Sequence, residues 1–239
     1  MSTKEPLFSI ITVATDDAAA LRLTGKSLGL QLDAPLFEWL VVGGEIPIDL
    51  PGDLEIGDAR ILPSEQGLYK GLNGGIEQAK GRYLWFIKPG DCIADSYTLR
   101  VLAREIQSNL GPEILYGDGR KNGVLQHGRN LHRYQWGMPI PFPAMLARRN
   151  AVGDLRFDPA LETSAEYHFL LALLARSTRQ HYFPRVICDY AGDGIAPERL
   201  NQAYHDIRRD FLQMNKWRNK AMYYLNALQL YLRRVFKKR

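Results

Sequence analysis

An α/β fold with a mostly parallel central sheet is what the sequence predicts, on three observations. Strand-like and helix-like segments alternate through the first half, as a parallel sheet with crossover helices requires. The run Tyr83-Leu84-Trp85-Phe86-Ile87 is continuously apolar and bounded by Gly81 and Pro89-Gly90, the pattern of a short strand buried on both faces. Just upstream, Gln66-Gly67 opens a segment whose Leu68, Leu72, Ile76 and Ala79 recur at helical spacing and which Lys80-Gly81 closes. A Gly-rich helix start leading into a buried strand that ends near Asp91 is a layout for a phosphate-bearing ligand and a metal. Ligands of open α/β sheets bind beyond the carboxyl ends of the strands.

In chain order the pattern predicts a strand over residues 7–14, a helix over 17–30, a strand over 38–42 and a short strand near 54–61. The helix and strand just described follow, then a helix over 97–109 and a strand over 113–116 that ends in Gly117-Asp118. Asn122-Gly123 marks a hairpin. Pro139, Pro141 and Pro143 punctuate an irregular crossing, and 164–176 returns to helix, with Tyr167, Leu170, Leu171 and Leu174 on one face. Three acids stand at informative places. Asp91 lies past a buried strand, placed for a metal or a ribose, or alternatively as the N-cap of the next helix. Glu166 lies in the first turn of a helix, where it also complements the helix dipole. Asp118 lies past a strand end, where a turn aspartate is the plainer reading.

The chain has 239 residues, 46% of them hydrophobic, enough to bury one full core, and no linker, repeat or low-complexity tract divides it. Its start is polar, without the apolar core of a signal peptide, which predicts a cytoplasmic location. The longest apolar run, 169–175, is far too short to cross a bilayer. Cys92 and Cys188 are too few for a disulfide framework or a zinc site and read as reduced thiols. Residues 211–239 carry eight basic residues and no acid, so the net charge of +5 belongs to this tail. Its Trp217, Ala221, Tyr224, Leu225, Leu228, Tyr231, Leu232 and Val235 recur at helical spacing. This predicts a domain at 1–210 and a basic amphipathic helix at 211–239, lying on an anionic membrane surface or packing on the domain or a second subunit, as in a homodimer. Nucleic acid is a poor partner, because the charge is confined to one end and no recognition motif accompanies it.

The stretch from Glu65 to Asp91 resembles the core of the family 2 glycosyltransferases with the GT-A fold, and more narrowly the colanic acid type of exopolysaccharide enzyme. Against the family's Y-D-A-M-N-K-G-I and F-L-N-x-G-D motifs, Tyr69, Asn73, Gly75, Ile76, Phe86, Gly90 and Asp91 fall in register, with Gly67, Ala79, Gly81 and Tyr83 around them. The likeness continues in Phe8–Val13, similar to S-I-I-T-V, and in Phe37–Gly43, similar to F-E-W-I-V-V-D-G-G. Met138-Pro139-Ile140, Ala144-Met145-Leu146, Phe157-Asp158 and Ser164-Ala165-Glu166-Tyr167 resemble later family stretches in the same order.

The resemblance implies a GT-A fold with C-terminal helices and an inverting transfer from a UDP- or GDP-linked sugar to a polysaccharide or lipid-linked acceptor. It places the protein at the inner face of the plasma membrane. Such a reaction needs a base for the acceptor hydroxyl and positive charge on the departing diphosphate. Glu166 is then the base. Asp91 is the ligand for Mg²⁺ or Mn²⁺, and Thr12, Ala14, Thr15, Gly43, Gly67, Asn73 and Gly90 are donor-side residues. Asp118 and Tyr167 fall on the acceptor side. Five polar positions depart from the family: Gly43 for Asp, Lys70 for Asp, Gly74 for Lys, Lys88 for Asn and Phe142 for His. That drift favours an alternative, a catalytically inactive glycosyltransferase-like partner subunit. A dinucleotide-binding oxidoreductase is disfavoured, since no G-x-G-x-x-G follows the first strand.

Overall fold

The computed structural model describes residues 5–14, 16–43, 58–63, 67–128, 131, 133, 137–161, 164–192, 203–205 and 207. The chain divides into two compact units, Met1–Ile195 and Ala196–Arg239. The basic segment 211–239 lies outside the described residues, as do Thr15, Glu45 and Glu65.

The first unit holds β1 (Phe8–Val13), α1 (Ala18–Gly29), β2 (Phe37–Gly43), β3 (Asp58–Pro63), α2 (Leu68–Gln78), β4 (Tyr83–Phe86), β5 (Cys92–Ile93) and α3 (Thr98–Ser108). After these come β6 (Ile114–Lys121), β7 (Val124–Gln126), β8 (Met145–Arg148), α4 (Arg149–Val152), α5 (Ala165–Arg176) and β9 (Gln180–Tyr190). The strands form one sheet in the order β3-β2-β1-β4-β8-β6-β9-β5, with β7 paired to β6. Strands β1, β2, β3, β4, β6 and β9 run in one direction, while β5, β7 and β8 oppose them. The sheet is mostly parallel, as predicted.

Each face of the sheet carries helices. Leu21 and Leu28 of α1 and Leu99, Leu102 and Ile106 of α3 pack with Ile10, Trp39 and Trp85. Leu72 and Ile76 of α2 and Phe169, Leu170 and Leu173 of α5 pack on the other side with Ile11, Leu40 and Phe86. Central strands β1, β2 and β4 are therefore buried along their whole length, which explains their unbroken apolar runs.

Several elements differ from expectation, each for a physical reason. β6 runs five residues beyond Tyr116, because pairing with β9 and β7 carries the strand through Gly117 and Gly119. Asn122 and Gly123, at φ 49° and 81°, then make the tight hairpin their sequence calls for. β8 has four residues and follows directly on the proline-rich crossing, so it is too short to show a period. β9 contains Pro184, which argues against a strand. That proline falls where the register to β6 shifts between Tyr182 and Val186, so no regular ladder bond is lost there.

Glu38 is the polar centre of the parallel half. It is fully buried, yet its Oε1 accepts from Ser9 Oγ at 2.5 Å and from the backbone N–H groups of Lys80 at 2.6 Å and Gly81 at 3.1 Å. Its Oε2 meets Arg60 Nη2 at 2.5 Å. One carboxylate thus ties β1, β2, β3 and the α2–β4 turn together. Gly81 lies so close to β1 that a Cβ on it would sit 2.4 Å from Ser9 N and 2.6 Å from Phe8 C. Backbone atoms of a central strand cannot step aside. Gly81→Ala is therefore expected to destabilise the protein by about 1–3 kcal/mol, read as a lower urea midpoint at unchanged slope.

Candidate functional site

The site grows from the end of β4. The N–H of Ile87 still bonds to Ile11 O at 3.1 Å, and regular pairing then stops. Lys88-Pro89-Gly90-Asp91 closes a turn through Asp91 N–H to Lys88 O at 3.0 Å, with Gly90 at φ 91°. Proline followed by a glycine at positive φ is what a type II turn demands. Thr24, buried on α1, fastens this turn. Its hydroxyl donates to Asp91 O at 2.7 Å and accepts from the Gly90 N–H at 3.0 Å.

The turn separates two charged side chains. Asp91 is 4% exposed, and its Oδ2 accepts from the Lys88 N–H at 3.3 Å. Burial raises the thiol pKa of Cys92 and pushes that of Cys188 well up, and the negative charges of Asp91 and Asp189 add to both effects. Cys188 belongs to the core on the α1/α3 side. The Lys88 side chain reaches toward α5. Its Nζ meets Glu166 Oε1, in the first turn of α5, at 2.9 Å, with the two side chains 29% and 18% exposed. This pair lies in a narrow cleft whose apolar walls include Val13, Leu72, Phe86 and Phe142. Phe142 is stacked on Phe86 at 5.9 Å, and both contact Phe157 edge-on, so the residue that stands for the family's His belongs to an aromatic cluster.

A second constellation lies on β6. Asp118 is buried and accepts from Gly128 N–H at 2.8 Å and Tyr182 O–H at 2.7 Å, while its Oδ2 faces His127 Nδ1 at 3.1 Å. Burial, and then the hydrogen bond to Asp118, push the Tyr182 hydroxyl up to about 12. The His127 side chain is 67% exposed. Tyr116, two residues before Asp118, belongs to the same core as Phe142 and Phe169, so this group shares the cleft's face of the sheet. His127 escaped the sequence reading, although a signal existed. The hairpin register that sets Lys121 opposite Val124 and Gly119 opposite Gln126 brings Asp118 opposite His127 when continued by one pair.

The residues expected on the donor side divide. Gly90 and Asp91 form the turn beside the cleft, Gly67 is the N-cap of α2 at φ 113°, and Ala14 follows β1 with its N–H on Val42 O. Gly43 ends β2 opposite Pro63. Thr12 is instead buried, accepting from Trp39 Nε1 at 3.0 Å. The Asn73 amide is engaged by the backbone N–H and C=O of Phe157 at 2.8 Å and 2.9 Å, which ties α2 to the segment before α5. Tyr167 on the acceptor side is buried within α5. These three are placed to hold the scaffold.

Mg²⁺ and Mn²⁺ are hard cations that take carboxylate and phosphate oxygens. Among the described residues no group of three or more His, Cys, Asp or Glu side chains could hold a metal ion. Asp91 is buried in the turn beside the cleft, and Glu166 is paired with the Lys88 ammonium. The described donor set does not fit a divalent ion in this arrangement. Among the described residues no helix is long and apolar enough to cross a membrane.

Strands ending at a cleft between α2 and α5, with a turn beyond β4 that carries charge, make an open α/β architecture, and the chain has the GT-A fold. No family model matches the sequence. A "PGL/p-HBAD biosynthesis glycosyltransferase" of Mycobacterium tuberculosis is 27% identical over 151 residues, covering 61% of this chain and 56% of that protein. The chain spans about half the length of the curated relatives it matches. S. aureus TarS residues 1–349 in complex with UDP-GlcNAc superimposes with a TM-score of 0.62 at 17% identity, covering 84% of this chain and 65% of that one. The mannosyltransferase PcManGT from Pyrobaculum calidifontis, in complex with GDP-Man and Mn²⁺, gives 0.61 at 14% identity over 95% of this chain and 81% of that one. The resemblance to glycosyltransferases with the GT-A fold, read from the sequence, is borne out.

Proposed function

We propose that this protein is an inverting glycosyltransferase of the family 2 type, moving a sugar from a nucleoside-diphosphate donor to a hydroxyl of a polysaccharide or lipid-linked acceptor. One observation carries the reading: a carboxylate and an ammonium, Glu166 and Lys88, face each other in an apolar cleft at the carboxyl end of β4. That is where open α/β sheets bind ligands. Glu166 takes the proton of the acceptor hydroxyl as its oxygen bonds to the anomeric carbon. On the opposite face the bond from that carbon to the diphosphate breaks, releasing the nucleoside diphosphate. Water exclusion by Phe86 and Phe142 strengthens both charges at the moment of reaction.

The wider assignment rests on relatives. The mycobacterial protein's name is that of a glycosyltransferase of PGL/p-HBAD biosynthesis, which supports sugar transfer by this chain. The basic segment 211–239 would bind an anionic surface or a second copy. UDP-GlcNAc and GDP-Man complexes of the solved proteins support a UDP- or GDP-linked donor. Mn²⁺ accompanies GDP-Man in PcManGT. In this chain Asp91 would be the protein's ligand to such an ion; the described residues offer no group of three or more to hold one, and no step is routed through a metal.

Thermal stabilisation by UDP, GDP, TDP and CDP, followed by release of nucleotide from the matching sugar donors, tests the reading. Stabilisation by one nucleotide and turnover of its sugar conjugate are expected. A chain that none of them stabilises is the inactive partner subunit.

A further inference from the structure

Transfer requires positive charge on the departing diphosphate, and Lys88 is the one cation among the described residues that line the cleft. We propose that Lys88 receives the donor's diphosphate in place of a divalent metal. In moving from Glu166 to the phosphates it frees that carboxylate for the acceptor hydroxyl. The inference rests on the glycosyltransferase reading and adds to it how the charge is met and in which order the substrates engage.

Three features support it. Lys88 is the first residue past the last regular hydrogen bond of β4, so its backbone sits at the mouth of the donor site. The turn that carries it is fixed by Thr24 and Ala20, whose O accepts from Gly90 N–H at 2.9 Å, while the side chain above has a flexible four-carbon stem and three rotatable donors. Its backbone is positioned and its ammonium can swing. Second, the ammonium stands 2.9 Å from the largely sheltered Glu166 carboxylate, and a diphosphate offers more negative charge and more acceptor oxygens than that carboxylate. Third, among the described residues no group of three or more His, Cys, Asp or Glu side chains could hold a metal ion, and a dication brought up to the diphosphate would meet the like charge of Lys88.

The order of events follows. Before donor binds, Glu166 is neutralised by Lys88 and is a poor base. After donor binds, Lys88 is on the phosphates and the carboxylate is released. Sugar donor therefore precedes acceptor, and water entering without donor meets no active base.

The test is calorimetric titration of the full chain with UDP and with GDP, each in EDTA and in Mn²⁺, for the wild type, Lys88→Met, Lys88→Arg and Glu166→Gln. Lys88→Met keeps the stem and loses the charge; unliganded melting temperatures show whether each variant is folded. The wild type is expected to bind one nucleotide with affinities in the two buffers within about twofold of each other. Lys88→Met should weaken binding about ten- to a hundredfold, the range of a lost charged hydrogen bond. Lys88→Arg should restore most of it, and Glu166→Gln should bind more tightly than wild type because a neutral amide competes for the ammonium more weakly than a carboxylate. Binding that needs Mn²⁺, or that a folded Lys88→Met retains in full, overturns the proposal. If the wild type binds neither nucleotide in either buffer, the assignment of a UDP- or GDP-linked donor falls, and this one with it.

Discussion

Glu166→Gln should lower the turnover of sugar donor about 10²- to 10⁴-fold, the contribution of a positioned general base. The amide has nearly the same shape as the carboxylate and still accepts a hydrogen bond from Lys88, so the cleft stays assembled. What is lost is the ability to take a proton. Two structural roles compete with this one and are small. An acid in the first turn of α5 interacts with the helix dipole for about 0.3–1 kcal/mol. The ion pair with the partly exposed Lys88 adds about 0–1 kcal/mol. A melting temperature close to wild type together with a rate loss of this size therefore assigns chemistry to Glu166. A folded variant that turns over donor within tenfold of wild type would remove it from that role, and the exposed His127, held by buried Asp118 on the same sheet face, would become the group to replace next.

Glu38→Ala is expected to cost about 3–5 kcal/mol of stability, because it leaves Arg60 and two backbone N–H groups without their buried acceptor. The pH dependence has a definite sign. Burial alone would raise the Glu38 pKa, but hydrogen bonds from Ser9, Lys80 N–H and Arg60 outweigh it and hold the carboxyl below its ordinary value. A depressed folded pKa gives stability that is fully present above the ordinary carboxylate range. That stability is lost as pH falls through the lowered value, where the folded state must at last take up the proton. Urea midpoints measured from neutral pH into acid should fall in that window for the wild type and show a smaller fall for Glu38→Gln. Equal acid sensitivity in both proteins would assign the effect to other carboxylates.

The parallel half of the fold was legible because its strands are buried on both faces and its helices on one. Trp85 and Phe86 belong to opposite cores, and so do Ile10 and Ile11, which is why those runs are unbroken and easily seen. The other half was hidden for stated reasons. β5 has two residues, β8 has four, and β9 bends through a proline, so none carries a period long enough to read. At the site, the positions of Lys88, Asp91 and Glu166 could be foreseen from strand ends and a helix start. Which way the charges point could not. The motif put Asp91 in the cleft and left Lys88 either beside it or on phosphate, whereas the structure pairs the Lys88 ammonium with Glu166 of α5. Asn73 and Thr12 show the same limit. A polar residue near a strand end or on a glycine-rich helix can serve a ligand or a neighbouring backbone, and only the three-dimensional arrangement shows that Phe157 and Trp39 claim them.

The place of β9 in the sheet bears on how such a chain acquires its site. β5 follows the Lys88–Asp91 turn at once, and it joins the sheet only by pairing Cys92 with Asp189 and Ile93 with Cys188. The same strand lines up beside β6 and supplies Tyr182 to Asp118. Both contacts join positions far apart along the chain, Tyr182 and Asp118 being 64 residues apart, and such long-range pairings are slow to form. A ribosome-bound chain that has not yet emitted β9 could assemble the four-stranded parallel half while the segment after β4 lacks its partner. Binding competence would then arrive in one late step, when the last strand docks, and nucleotide added to stalled nascent chains of increasing length should be retained only once residue 190 has left the exit tunnel.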